Sequence, residues 1–187
     1  MNESIIFILR TVIDIYAALL LARLLLQLVQ ANFYNPICQA IFKVCAPVVE
    51  PLGRLLPTIG TFNSAALVAA ILIKWLLYLI LVGFGAVAIG DLFIYVAVAG
   101  FDLLRTLIEI YFWGIFILVI SSWVGTTQHP TVMLVSQVVD PYMRPFRNLI
   151  PPIGMIDISP MAAIFTLMFI RAKVLPMLGG LIIPFLN

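Results

Sequence analysis

"PVVEPLGRLLPTIG", Pro47 to Gly60, and "PYMRPFRNLIPPIG", Pro141 to Gly154, are one phrase written twice. A shift of 94 residues lays Pro47 on Pro141, Pro51 on Pro145, Pro57 on Pro151 and Gly60 on Gly154. Upstream, the same shift lays Asn35-Pro36 on His129-Pro130; downstream, Asn63 falls on Asp157. Farther out, at a shift of 95, "LRTVIDIY" (Leu9 to Tyr16) matches "LRTLIEIY" (Leu104 to Tyr111). The chain reads as a duplication, residues 1–90 and 91–187, each a helix, a proline-punctuated loop and a helix.

The composition names the solvent. Of 187 residues, 64% are hydrophobic and 10% are charged. A soluble domain carries roughly a quarter charged residues, so this chain could not cover a water-facing surface. The bilayer is the expected solvent and partner. A net charge of +2 is too small to indicate nucleic acid. One histidine and two cysteines speak against a His/Cys metal cage, and no cofactor is implied. Cys38 and Cys45 sit about 10 Å apart along a helix axis, too far for a disulfide, and read as small buried hydrophobes. The opening "MNES" lacks the positive charge of a signal peptide, and Arg10, Asp14 and Arg23 interrupt the apolar run behind it. It reads as a retained membrane helix.

Crossing ~30 Å of hydrocarbon takes about 20 helical residues. The spans expected are Ile5 to about Val29, Ala65 to about Ala88, a third ending near Val124 and beginning between Leu92 and Leu103, and Pro160 to about Leu181. The fold class is thus an all-α membrane protein of four spans, two per repeat. Two spans return the chain to its starting side, so the repeats run parallel, related by an axis along the membrane normal. Ser64 and Ser159 are the expected caps of the second and fourth spans. The long loops hold Lys43, Arg54, Arg144 and Arg147; the opposite face holds Glu3, Asp91 and Asp102 with no Lys or Arg. The positive-inside rule puts both loops in the cytoplasm and both termini outside.

Within the loops, "NPICQAIFKVCAP" and "HPTVMLVSQVVDP" read as amphipathic helices capped by Asn35 and His129, with Pro36 and Pro130 in the first turn. The residues before Pro47 and Pro141 are pushed out of helical geometry, so each helix is predicted to end there. The stretches that follow are expected at headgroup level or dipping into the bilayer. His129, lone and before a proline, reads as a surface loop residue.

Charges inside the spans need an account, because each costs about 2.5–3.5 kcal/mol at mid-membrane. Arg10 and Asp14 share a helix face, as do Arg105 and Glu109. Counting 1.5 Å per residue puts Asp14, Lys74 and Arg171 near the midplane. Asp14 is therefore paired with Lys74, and Glu109 with Arg171. Arg10 and Arg105 lie one turn outward, where they can snorkel. Arg23 is expected to reach inner-leaflet phosphates. The pairs are either interhelical glue or the lining of a polar path for ions. Gly83, Gly85, Gly90, Gly179 and Gly180 read as packing or bending positions.

At the proline-rich phrases, "EPLGRLLPTIG" and "DPYMRPFRNLIPPIGMIDISP", with "YNP" and "AP" before the first, the sequence resembles the YggT family of bacterial inner-membrane proteins, related to plastid and cyanobacterial proteins called YlmG. The resemblance covers nearly the whole chain. It implies four spans, no established enzymatic activity, and links to osmotic or envelope stress. In relatives it implies links to cell or plastid division and cytochrome assembly. His129 in place of Asn, and Gly53 where the second repeat has Arg147, depart from a strict repeat. No GxGxxG after a strand, P-loop, HExxH, Ser/His/Asp set or CxxCH is present, so the chain is not read as an enzyme. The expected function is a scaffold or assembly factor whose loops contact a protein partner or anionic lipid through Lys43, Arg54, Arg144 and Arg147. The alternative is a small channel or transporter in osmotic or potassium homeostasis, whose thin wall would require a homo-oligomer.

Overall fold

A computed structural model describes residues 2–87, 92–151 and 157–182. In chain order it holds α1 (Asn2–Leu28), α2 (Pro36–Gly53), a hairpin of β1 (Thr58–Ile59) and β2 (Phe62–Asn63), α3 (Ser64–Gly83), α4 (Leu92–Val124) and α5 (Pro130–Leu149). It ends with α6 (Ser159–Phe169), a π-helical segment (Ile170–Val174) and α7 (Leu175–Ile182). Four stretches are long and apolar enough to cross a membrane: Glu3–Leu28, Ser64–Gly83, Leu92–Val124 and Ser159–Leu181. The protein is an all-α membrane protein. Gly90, Asp91, the 90/91 repeat boundary and Gly154 lie outside the described residues.

The third span begins at the early end of its expected range, at Leu92. Its 33 residues make it about 50 Å long, well beyond the hydrocarbon thickness. The second span, expected to reach Ala88, ends at Gly83. Gly85 takes φ +68° there, so its N–H reaches the carbonyl of Val82 while that of Ala86 reaches Leu81. This is the two-bond stop that a left-handed residue after a helix permits. Gly125, at φ +76°, ends α4 in the same way, with the Thr126 N–H on the Ser121 carbonyl.

The amphipathic helices do not stop at the expected prolines. α2 runs through Pro47 and Pro51, and α5 through Pro141 and Pro145. Each proline removes one helical N–H and frees the carbonyl four residues back. All four are exposed, so the ring and the freed carbonyl fall toward solvent or headgroups instead of the protein. The buried stripes, Cys38, Cys45 and Val49 on α2 and Val132, Leu134, Val138, Val139 and Met143 on α5, remain unbroken.

Two cores stand side by side, and α4 enters both, with Leu103 in the first and Ile108 and Ile115 in the second. Ala65, Ala66, Ala69 and Ala70 of α3 pack on Ala17, Leu20, Leu21 and Leu24 of α1, with Cys45 and Val49 of α2 laid over them. Small residues let the two spans approach closely. In the second half, Ile108 and Ile115 of α4 meet Val139 and Met143 of α5 and Ala163, Leu167 and Leu175 of the last span. Gly114 sets the closeness of that contact: a methyl there would lie 2.6 Å from Val139 Cγ2. A third cluster joins the halves, Leu25, Leu26, Ala31 and Cys38 against Leu134 and Val138.

Candidate functional site

Two groups of polar side chains stand out, one inside the spans and one at the loop end. Inside the spans, Lys74 of α3 is 4% exposed. Its Nζ lies 2.6 Å from Asp14 Oδ1 of α1 and 3.6 Å from Asp102 Oδ2 of α4. Tyr78, one turn along α3, donates its hydroxyl to Asp102. The structure thus brings Asp14 and Lys74 together and adds two residues that the sequence reading missed. Asp102, which the sequence places toward the opposite face, lies ten residues into α4 and closes a cluster of three spans. The signal was present. Asp102 precedes Glu109 by seven residues, two helical turns, so both lie on one stripe with Arg105 between them.

In the second half, Arg171 Nη2 lies 3.0 Å from Glu109 Oε1, with its guanidinium over the Phe112 ring. Arg171 and Lys173 both sit in the π-helical segment, a geometry that is rare and concentrated at functional positions. Arg10 and Arg105 are exposed and form no ion pair among the described residues. Arg105 lies over the Phe101 ring at 5.4 Å. The arginine and acid of each octapeptide do not bond to one another; each acid turns to a base on the following span.

At the loop end, Asn35 and His129 cap α2 and α5: Asn35 Oδ1 accepts from Ile37 N at 2.9 Å, and His129 Nδ1 from Thr131 N at 3.3 Å. Asn35 also donates from Nδ2 to the Pro130 carbonyl at 2.8 Å, and Asn32 N donates to Gln137 Oε1 at 3.2 Å. The starts of the two amphipathic helices are thereby fastened together. The expected serine caps are corrected. Asn63 caps α3 by accepting from Ala66 N, while Ser64 Oγ donates to the Pro57 carbonyl. Asp157 Oδ1 accepts from both Ser159 N and Ser159 Oγ. Asn63 is the N-cap of α3, whereas Asp157, matched to it by the 94-residue shift, stands one residue before the N-cap Ile158 and holds the first N–H of α6; in both cases the oxygen before the helix, not the serine inside it, meets a free N–H.

Arg23 is also corrected. It does not extend to phosphates but is 8% exposed beneath α2. Its Nη1 donates to the Phe42 carbonyl at 3.0 Å, and its guanidinium lies 4.7 Å from the Phe42 ring centre. The amphipathic helix lies across this stretch of α1 and shuts Arg23 off from the lipid. Burial pushes the Cys38 and Cys45 thiols above their ordinary range, with Arg23 drawing Cys45 partly back. Both thiols are free.

Arg144 Nε and Arg147 Nη1 converge on Asp140 at 2.7 and 2.8 Å, and Arg147 lies 3.9 Å from Asp157. Lys43 and Arg54 are exposed, with no ion-pair partner among the described residues. Pro51, Pro57, Pro145 and Pro151 are exposed as well. A groove of about 640 Å³ runs between the end of α1 and the polar face of α5, lined by Leu28, Val29, Gln137, Asp140, Arg144 and Arg147. Among the described residues, His, Cys, Asp and Glu are not gathered in threes as a metal ion requires.

A family model described as CCB3/YggT matches residues 2–84 and again residues 97–178. Among similar proteins, "Uncharacterized protein YggT" of Escherichia coli strain K12 is 34% identical over 97% of this chain and 96% of its own. "Uncharacterized protein PA0392" of Pseudomonas aeruginosa is 37% identical over 97% and 93%. An "Uncharacterized protein" of Haemophilus influenzae is 28% identical over 97% and 96%. No solved structure matches the chain.

Proposed function

The chain belongs to the CCB3/YggT family, and from that premise we propose that it is a non-enzymatic scaffold or assembly factor of the bacterial inner membrane, with a role in osmotic or envelope stress. In this reading it is built of two parallel repeats, which the two stretches matched by the family model support. Its working surface is the polar face of α2 and α5 together. The observation that carries this reading is the fastening of the two helices, Asn35 to Pro130 and Asn32 to Gln137. Two separate loops become one continuous platform. Lys43, Arg54, Arg144 and Arg147 on that platform, with no Lys or Arg in the short segments opposite, favour a cytoplasmic position. Asp140 holds Arg144 and Arg147 in place, which lowers the entropy cost of presenting them to a partner. Lys43 and Arg54 are left to reach an acidic protein surface.

Photo-cross-linking from positions 39 and 50 in cells, exposed sites on α2 each one turn before Lys43 and Arg54, tests the reading. The expected product is an adduct with one defined protein, lost on Lys43→Glu with Arg54→Glu. Adducts confined to lipid would overturn it.

A second reading, a small channel or transporter in osmotic or potassium homeostasis, is favoured by one observation. Lys74 is held between two carboxylates, and the Asp14 side chain is 53% exposed. Charges inside spans mark ion paths by default. Normal folded yield of Asp14→Asn with Glu109→Gln, joined to altered ion flux in liposomes, would put this reading first.

A further inference from the structure

The two halves treat their central base differently. In the first, three spans converge: Asp14 of α1 and Asp102 of α4 flank Lys74 of α3. The 95-residue shift lays α4 on α1, and the last span then stands where α3 stood. Glu109 takes the place of Asp14, and its base is Arg171, two residues past the strict counterpart of Lys74. The third helix, the one that brought Asp102, has no counterpart among the described residues.

The flank of the last span carries a stripe fit for one. Met161, Phe165 and Met168, spaced for one helix face, are 57%, 62% and 49% exposed. Beyond them Lys173 is exposed in the π-helical segment, with no ion-pair partner among the described residues. Lys173 lies about 21 Å along the span from Ser159, inside the hydrocarbon, where an unpaired ammonium is costly. Methionine gives a surface that adapts to a packed neighbour.

Deepening the scaffold reading on which it rests, we propose that this flank binds a membrane-spanning helix of another protein, which presents an Asp or Glu to Lys173. The precedent within the molecule is a carboxylate carried on a helix, as Asp102 is carried to Lys74. A second copy of this chain fits less well: in the same register its α1 would bring Phe7, not an acid, to that place.

Benzoylphenylalanine placed at 165 or 168 of the full chain, in its native membrane, tests the proposal. Illumination should give an adduct with one protein that holds a carboxylate within a span. Lys173→Glu should cut the adduct roughly three- to thirtyfold, the range expected for one polar contact between membrane helices. Replacing the partner's carboxylate by Lys should restore it. Lys173→Gln should also lower the adduct, so the test survives a glutamate variant that fails to fold. An adduct indifferent to Lys173, one formed only with lipid, one formed only with a second tagged copy, or none at all would each overturn the proposal. Probes at 39 and 50 run beside it read the platform separately. Loss of the loop adduct alone counts against the platform, and loss of the flank adduct alone counts against this inference.

Discussion

Lys74 is the residue whose removal the fold should tolerate least. Its ammonium sits between Asp14 and Asp102, so Lys74→Met leaves two carboxylates facing each other inside the spans. Breaking a buried pair from one side costs about 3–5 kcal/mol, read as lost resistance to detergent unfolding. Asp14→Asn should cost less, because Asp14 is half-exposed and Asp102 still neutralises the lysine. Replacing all three by Met, Asn and Asn should recover most of the loss. The cysteines supply a prediction in pH. Burial holds the Cys38 and Cys45 thiols above their ordinary range, so the folded chain keeps protons that the unfolded chain has released. Their contribution is whole below the unfolded thiol range, about 8.5, and is lost as pH rises toward the folded values. Alkylation should be slow until the protein unfolds, and Cys38→Ala with Cys45→Ala should flatten the loss of stability above about pH 9. At this scale depth counting could read which charges lie mid-span. It could not read Asp102 or Arg23, since both depend on which helix crosses over them.

At the level of the element, the caps are the sharpest test. Asn35 caps α2 and also donates to Pro130, whereas His129 only caps α5. Asn35→Ala should therefore cost about 1–2 kcal/mol and His129→Ala about half as much. The measurement is hydrogen exchange in the first turns of the two helices. Asn35→Ala should release both, and His129→Ala only α5. The helices themselves were legible as amphipathic stripes opening on Asn-Pro and His-Pro. Their ends were not. Pro47 and Pro141 read locally as stops, yet both fall on the exposed face. There the lost hydrogen bond can be made up by water, while the buried stripe pulls the helix onward by packing on the spans. Local propensity was overridden by burial. The serine caps failed for a related reason: Ser64 and Ser159 are already inside their helices, and the oxygens that meet the first free N–H groups come from Asn63 and Asp157 before them.

For the whole molecule, hydropathy made the four spans legible, because crossing hydrocarbon demands length and apolarity that nothing else in a chain of this size explains. The octapeptide and proline matches point to a duplication. Neither could disclose that the halves are stitched by Leu25, Leu26 and Cys38 against Leu134 and Val138, or that α4 serves both. Through Asp102 α4 belongs to the first half, and through Glu109 to the second. The account rests on two hairpins of the same orientation whose loops form one platform in the cytoplasm. Single cysteines at Arg54 and Asn148, in a chain with Cys38→Ala and Cys45→Ala, test this most directly with a membrane-impermeant thiol reagent. The account predicts labelling of both in inverted vesicles and of neither in intact spheroplasts. Labelling of the two positions from opposite sides, or of both in spheroplasts, would contradict it.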